Sequence, residues 1–156
     1  MSRLMDKQIR KAMTSDLEAL SALSYRTIRA SYWSFLGETV VEAFLASGAA
    51  DQYVRATLAQ CSVIVAEGKL VGYTVCKDDL IDLMRIDPEY QGCGLGTRLL
   101  EHCQEMLFQN FAALTLESFE QNQKANNFYR KHGWSEVKRY FDQSSGVYKL
   151  VFCKTV

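Results

Sequence analysis

The sequence predicts an α/β fold of the α+β kind: a mixed, mostly antiparallel central sheet of about seven strands flanked by about four helices. Two observations carry this. Helix-period apolar stretches fill the first sixty residues, whereas period-2 runs separated by turn residues dominate beyond them. The resulting order is β-α-α-β-β-β-α-β-α-β-β, too mixed for a doubly wound parallel sheet. At 156 residues the chain amounts to one domain, 1–156, long enough for a real core. No internal repeat, linker or low-complexity tract divides it.

Gln8 to Met13 reads as the first strand. Ser15-Asp16-Leu17-Glu18 has the form of a capping box and opens a helix with Leu17, Leu20, Leu23 and Ile28 on one face. The aromatic-rich stretch Ser31 to Gly37 interrupts that pattern and is expected to break the helix. A second helix carries Val40, Val41, Phe44 and Leu45 and stops near Gly48. Asp51 is placed to cap a short helix from Gln52 to Ala59. Cys61 to Ala66 and Leu70 to Cys76 flank Glu67-Gly68-Lys69, a hairpin signal, and Leu80 to Ile86 is the next strand. A glycine loop leads into a helix reaching about Gln109. A strand from Ala112 to Ser118 follows, then a helix from Gln123 to Lys131 stopped by Gly133. Trp134 to Phe141 and Val147 to Phe152 close the chain as a hairpin around Gln143-Ser144-Ser145-Gly146.

Within the strand Leu80 to Ile86 the apolar parity changes. Ile81 and Leu83 alternate, and then Met84 and Ile86 do. A period-2 strand that switches face predicts a β-bulge, which leaves backbone groups unpaired and turns the strand from its neighbour. Burial on both faces would produce the same pattern.

The segment after that strand is the most informative. Ile86-Asp87-Pro88 ends the strand in a turn, and Gln91-Gly92-Cys93-Gly94-Leu95-Gly96-Thr97 places glycine at alternate positions before a helix. Glycine admits positive φ and close approach, so several N–H groups can converge beside the positive end of the helix dipole. The loop therefore suits a phosphate or pyrophosphate. A dinucleotide fingerprint is excluded, because Thr97 stands where its third glycine belongs and no acidic residue ends a strand some twenty residues on. A P-loop is excluded because no Lys-Ser or Lys-Thr pair follows. Gln91 to Gly96 instead resembles the Q/R-x-x-G-x-G/A signature of the GNAT N-acetyltransferase superfamily. Asn122-Gln123-Lys124-Ala125-Asn126-Asn127-Phe128-Tyr129-Arg130-Lys131-His132-Gly133-Trp134 is similar to that family's N-x-x-A-x-x-F-Y-x-x-x-G-F segment, with Trp134 in place of Phe. The resemblance spans about residues 61 to 140.

This resemblance implies transfer of an acetyl group from acetyl-CoA directly to a primary amine of a small molecule or peptide. It assigns the pyrophosphate to Gln91, Gly92, Cys93, Gly94, Leu95, Gly96 and Thr97. The pantetheine arm goes to the backbone of Met84, Arg85 and Ile86 and to Asn122, which also suits a helix N-cap. A backbone N–H among Met84 to Ile86 would polarise the thioester carbonyl. Tyr129, in the family's F-Y pair, is the implied proton donor to the CoA sulfur, although an amphipathic helix also accommodates it as a core aromatic. Glu117 and Asp82 lie on the two strands that would diverge and are candidate bases, or else solvated strand decoration. The first two helices would form one wall of the acceptor site, which brings in Tyr25, Tyr32, Trp33 and Phe35. Arg98, Lys124 and Arg130 are further candidates for the nucleotide phosphates. Cys93 is not expected to act as a nucleophile, since direct transfer needs no acyl-enzyme. A non-catalytic acyl-CoA-binding module would keep the loop but would not need Tyr129.

Composition narrows the remaining choices. Eighteen basic and eighteen acidic residues cancel, which argues against nucleic acid or anionic membrane as partner. No apolar run approaches a membrane span, and Met1 to Lys7 lacks the apolar stretch of a signal peptide, so a cytoplasmic location is expected. The five cysteines are unpaired in spacing and read as free thiols. With two histidines, no metal site is expected. The amine acceptor is not specified, and monomer and homodimer are both compatible.

Overall fold

The computed structural model describes residues 7–156. A seven-stranded sheet runs in the order β1-β2-β3-β4-β5-β7-β6. The strands are β1 (Lys7–Lys11), β2 (Cys61–Ala66), β3 (Lys69–Lys77), β4 (Leu80–Ile86), β5 (Ala113–Phe119), β6 (Ser135–Asp142) and β7 (Val147–Thr155). The helices are α1 (Leu17–Leu36), α2 (Glu38–Ala46), α3 (Ala49–Ala56), α4 (Leu95–Leu107) and α5 (Gln123–Lys131). The described residues thus place five α-helices around the sheet, where about four were expected. Neighbouring strands are antiparallel except β4 and β5, whose parallel pairing is made possible by the crossover through α4.

Alternation along β2 and β3 sends side chains to two cores. Val63, Tyr73 and Val75 meet Leu20 and Leu23 of α1 and Val54 of α3. On the opposite face Ile64 and Val71 meet Leu95 and Leu99 of α4, while Ile81, Leu114, Leu116, Leu150 and Phe152 pack with Leu100, Cys103 and Trp134. Helices α1–α3 therefore cover one face, and α4 and α5 the other. Trp134 sits in the family's phenylalanine position with its ring buried, and its Nε1 donates to Gln104 Oε1 at 3.0 Å.

Several local expectations shift by a turn. Asp16, not Ser15, organises the start of α1. Its carboxylate accepts from the Met13 amide at 2.8 Å and from both terminal nitrogens of Arg10, and the Arg10 hydrogen bond holds its pKa below the ordinary range. Helix α1 does not break at Ser31. It continues to Leu36, because Tyr32 and Phe35 pack edge-on against Phe119 at the end of β5, with ring centroids 5.1 and 5.5 Å away. Tertiary contact outweighs the interrupted local pattern. The third helix begins at Ala49, directly after Gly48, and Leu58–Gln60 is a 3₁₀ turn. Helix α4 ends at Leu107, and β7 extends to Thr155.

The bulge exists, one residue earlier than the parity change suggested. Val75 faces Leu83 and Cys76 faces Ile81, which leaves Asp82 as the extra residue of β4. Ile81 and Met84 consequently share the α4–α5 face, while Leu83 packs against the α1–α3 side. Beyond the bulge β4 leaves β5. Pairing between them is confined to Leu80 with Thr115 and Ile81 with Leu116. From Asp82 and Glu117 onward the two strands flank an open cleft.

A buried carboxylate fixes the end of β4. Asp87 is 1% exposed and accepts from Arg26 of α1 at 2.7 Å and from the Glu89 amide at 3.0 Å. Its own amide donates to Val71 O at 2.8 Å. These bonds lock the turn Pro88–Tyr90 against both β3 and α1.

Two outcomes follow for stability. At Gly72 an added Cβ would lie 2.7 Å from Ile86 Cδ1 and 2.9 Å from the Arg85 carbonyl. Gly72→Ala should therefore cost about 2 kcal/mol by overpacking, seen as a fall of about 5 °C in Tm by thermal denaturation. Asp87→Ala removes the partner of Arg26 and of the Glu89 amide and should cost about 1–3 kcal/mol, with faster hydrogen exchange concentrated over residues 88–94.

Candidate active site

The glycine loop has the form its spacing demands. Gly92 and Gly94 adopt φ of 79° and 82°, conformations that side-chain-bearing residues rarely take, and a Cβ on either would meet nothing within 4 Å. Gly94 is the N-cap of α4 and provides no side-chain bond to the first turn. The leading N–H groups of that helix are therefore left to an incoming acceptor. Gln91 is braced in this loop: its amide nitrogen donates to Ile86 O at 3.2 Å, and its oxygen accepts from Lys124 Nζ at 2.8 Å. Thr97 Oγ1 lies 3.1 Å from His132 Nε2.

The loop opens onto a groove of about 560 Å³ bounded by Gln91, Gly92, Gly94, Gly96, Thr97, Lys124, Asn127, Phe128 and His132. The groove runs to Met84, Arg85, Asn122, Ala125 and Tyr129 at the strand divergence. On the other side of that divergence is a smaller cavity of about 160 Å³ holding Asp82, Glu117, Phe119 and Lys149. The two share Tyr32, Met84, Arg85, Asn122, Ala125 and Tyr129. A long phosphate-bearing ligand thus fits the groove, with its reactive end at the shared wall and a second reactant on the far side.

Tyr129 stands at that wall. Its ring packs on Phe128, Trp134 and Phe152, and among the described residues nothing hydrogen-bonds its hydroxyl. Burial, and then the neighbouring Tyr32 and Cys103, push its phenol above the ordinary range, so it holds its proton throughout neutral pH. Asn122 caps α5, accepting from the Ala125 amide at 3.4 Å, and lines both cavities. Both carboxylates of the small cavity are engaged by tyrosines. Tyr53 donates to Asp82, which also lies 3.3 Å from Lys77 Nζ, and Tyr140 donates to Glu117. The Glu117 contact pushes the Tyr140 phenol up to about 12.

Some expected residues lie elsewhere. Tyr25 lines neither cavity, because its hydroxyl is spent on Leu45 O and Asp51 while its ring packs on the α1–α2 core. Trp33 is 42% exposed and, one residue on from Tyr32, turns away from the cleft. Leu95, the first residue of α4, is buried against Ile64 and Val71 of the sheet, and Cys93 packs on the same cluster, so neither lines the groove with its side chain. Arg130 pairs with Glu136, and Arg98 is absent from the groove wall. Sequence reading missed Tyr53, Tyr140, Phe119 and Lys149, which reach the site only through strand pairing and helix docking. It also missed Asn126, whose buried side-chain amide donates to the carbonyls of Phe119 and Glu120, tying α5 to the end of β5. The Arg85 side chain had a signal: a lone charge in the apolar run Leu83 to Ile86.

Comparison with known proteins agrees with this geometry. The acetyltransferase (GNAT) domain profile matches residues 59–136. The peptidyl-lysine N-acetyltransferase YjaB of Escherichia coli (strain K12) is 29% identical over 134 residues, covering 84% of each chain. Its apo-form solution structure superposes with a TM-score of 0.77 over 96% of this chain and 97% of that one. The peptidyl-lysine N-acetyltransferase YiaC of the same organism is 29% identical over 137 residues, covering 83% of this chain and 84% of YiaC. The PaiA N-acetyltransferase of Thermoplasma acidophilum, solved with coenzyme A, shares the fold at 18% identity, with a TM-score of 0.82 over 97% of this chain and all of that one. With half the chain matched by the profile and the loop, divergent strands and tyrosine in one cleft, the protein belongs to the GNAT acetyltransferase family and is an acetyl-CoA-dependent N-acetyltransferase.

Proposed function

We propose that this single-domain enzyme acetylates the side-chain amine of lysine in peptides or proteins. The observation that carries the reading is that the cofactor groove and a separate small cavity meet at Tyr129. Two relatives named peptidyl-lysine N-acetyltransferases support lysine as the acceptor class. A cavity of about 160 Å³ suits an extended side chain better than a bulky polycyclic amine.

Bound acetyl-CoA supplies a thioester already activated toward an amine. The converging N–H groups at Gly92 to Thr97 receive the pyrophosphate, and the unpaired edge of β4 from Met84 to Ile86 receives the amide-bearing arm. What remains for the protein is proton management. A lysine amine has a pKa near 10.4, so holding it neutral at pH 7 costs about 4–5 kcal/mol. Glu117 takes that proton directly or through water, since Asp82 is already offset by Lys77. Tyr129 keeps its own proton because burial disfavours the phenolate, and gives it to the departing sulfur. Free thiols and the need for acetyl-CoA support a cytoplasmic location.

Tyr129→Phe removes only the hydroxyl. It should lower kcat about a hundredfold in a thiol-release assay with lysine peptides, while calorimetric affinity for acetyl-CoA stays within about twofold. An unchanged kcat would dismiss Tyr129 as the acid. The sign of its shift sets the pH profile. With its pKa raised above the ordinary value of about 10, wild-type kcat should show no loss of the acid as pH rises to about 10.

A further inference from the structure

Arg85 carries a charge that the protein itself does not balance. Its Nε is buried without a hydrogen-bond partner, and among the described residues it forms no ion pair. Its guanidinium lies 5.8 Å from the Tyr32 ring centroid, and its strand partner is Tyr73. The carboxylates sharing its cavity are committed elsewhere, Asp82 to Lys77 and Tyr53 and Glu117 to Tyr140. Burying an unpaired cation is expensive, and the cost is relieved when an anion completes the pairing.

The direction of the side chain decides which reactant brings that anion. Met84 and Ile86 pack on the α4 side with Leu95 and Leu99, next to the glycine loop. Arg85, between them in the strand, projects to the opposite face among Tyr32 and Tyr73, where Leu83 also packs. It borders the groove as well, and in the small cavity it is joined by Lys149, which forms no ion pair among the described residues and whose Nζ sits 5.1 Å from the Phe119 ring centroid. The cavity therefore brings together two cations without ion pairs among the described residues and two carboxylates.

We propose that Arg85, supported by Lys149, is an anion subsite of the acceptor pocket, and that the preferred acceptor carries a carboxylate close to its reacting amine. The proposal rests on the lysine reading above and narrows it. The carboxylate comes either from a chain-terminal lysine or from an aspartate or glutamate beside an internal lysine. Guanidinium and carboxylate form a bidentate pair, and the approaching amine is left to Glu117.

The test compares two matched pairs of short peptides: a C-terminal lysine as free acid or amide, and an internal lysine flanked by Glu or by Gln. Thiol release is measured for wild type, Arg85→Gln and Arg85→Lys. Calorimetry in the presence of CoA reads the same peptides without turnover, and thermal melts check that each variant is folded. Wild type should prefer the acidic member of one pair by about tenfold or more, through KM, and that pair identifies the source. Arg85→Gln should bring the ratio to about twofold or less, and Arg85→Lys should restore part of it. Equal use and equal binding of acidic and neutral peptides by wild type would overturn the subsite. So would an Arg85→Gln defect falling equally on kcat for every peptide, or one confined to acetyl-CoA affinity with the ratio intact. Transfer to lysine peptides without acid preference leaves the lysine reading standing and removes only the subsite. Absence of transfer to any lysine peptide removes the lysine reading, and calorimetry still decides the subsite.

Discussion

The site depends on the parting of β4 from β5 after two paired residues. A parallel pair that continued would close the sheet and fill the place where both cavities meet. The extra residue Asp82 prevents this by adding twist and by moving β4 out of register with β3 between Val75 and Cys76. The divergence leaves backbone donors and acceptors from Met84 onward without a strand partner on the β5 side. Such groups are costly when buried and dry, so an extended ligand with amides of its own is the natural complement. Side chains then sort by parity. Met84 and Ile86 pack on the α4 side, and Arg85 projects to the face of Tyr73 and α1.

A few polar ties hold this open sheet in shape. Ser24 and Tyr73 hydroxyls meet at 2.7 Å in the core between α1 and β3. Asp87 joins α1, the start of β3 and the turn before the glycine loop. Asn126 joins α5 to the end of β5. The first satisfies two buried hydroxyls in the core, and the other two engage backbone groups at the ends of β4 and β5. The aromatic trio of Tyr32, Phe35 and Phe119 performs the apolar counterpart, docking the end of α1 across the mouth of the small cavity.

Much of the cofactor side could be read along the chain because it is local. The positive φ of Gly92 and Gly94 and the exposed start of α4 are properties of consecutive residues, and they appear in the letters as glycine spacing before an apolar helix. Tyr129 was legible through its motif, and the bulge through the change of parity at Leu83 and Met84. The acceptor side was less legible. Tyr32 and Trp33 are adjacent aromatics of one helix, and nothing in their order tells which turns into the cleft. Tyr25 resembles a substrate-facing aromatic until Leu45 and Asp51 are found bonded to its hydroxyl.

By itself, then, the amino-acid sequence determined the succession of strands and helices and the glycine loop suited to an anion, since short-range periodicity and backbone stereochemistry specify these, while the candidate proton donor followed from the family resemblance alone. Only the tertiary structure decided where α1 ends, that Asp82 is the bulged residue, which carboxylates are already engaged, and that Arg85 lines the cleft between β4 and β5 without an ion pair among the described residues. Those outcomes depend on partners distant in sequence, such as Tyr53 with Asp82, Tyr140 with Glu117 and Phe119 with Tyr32. Burial, charge balance and packing exist only between elements, so they take their values when the elements are assembled.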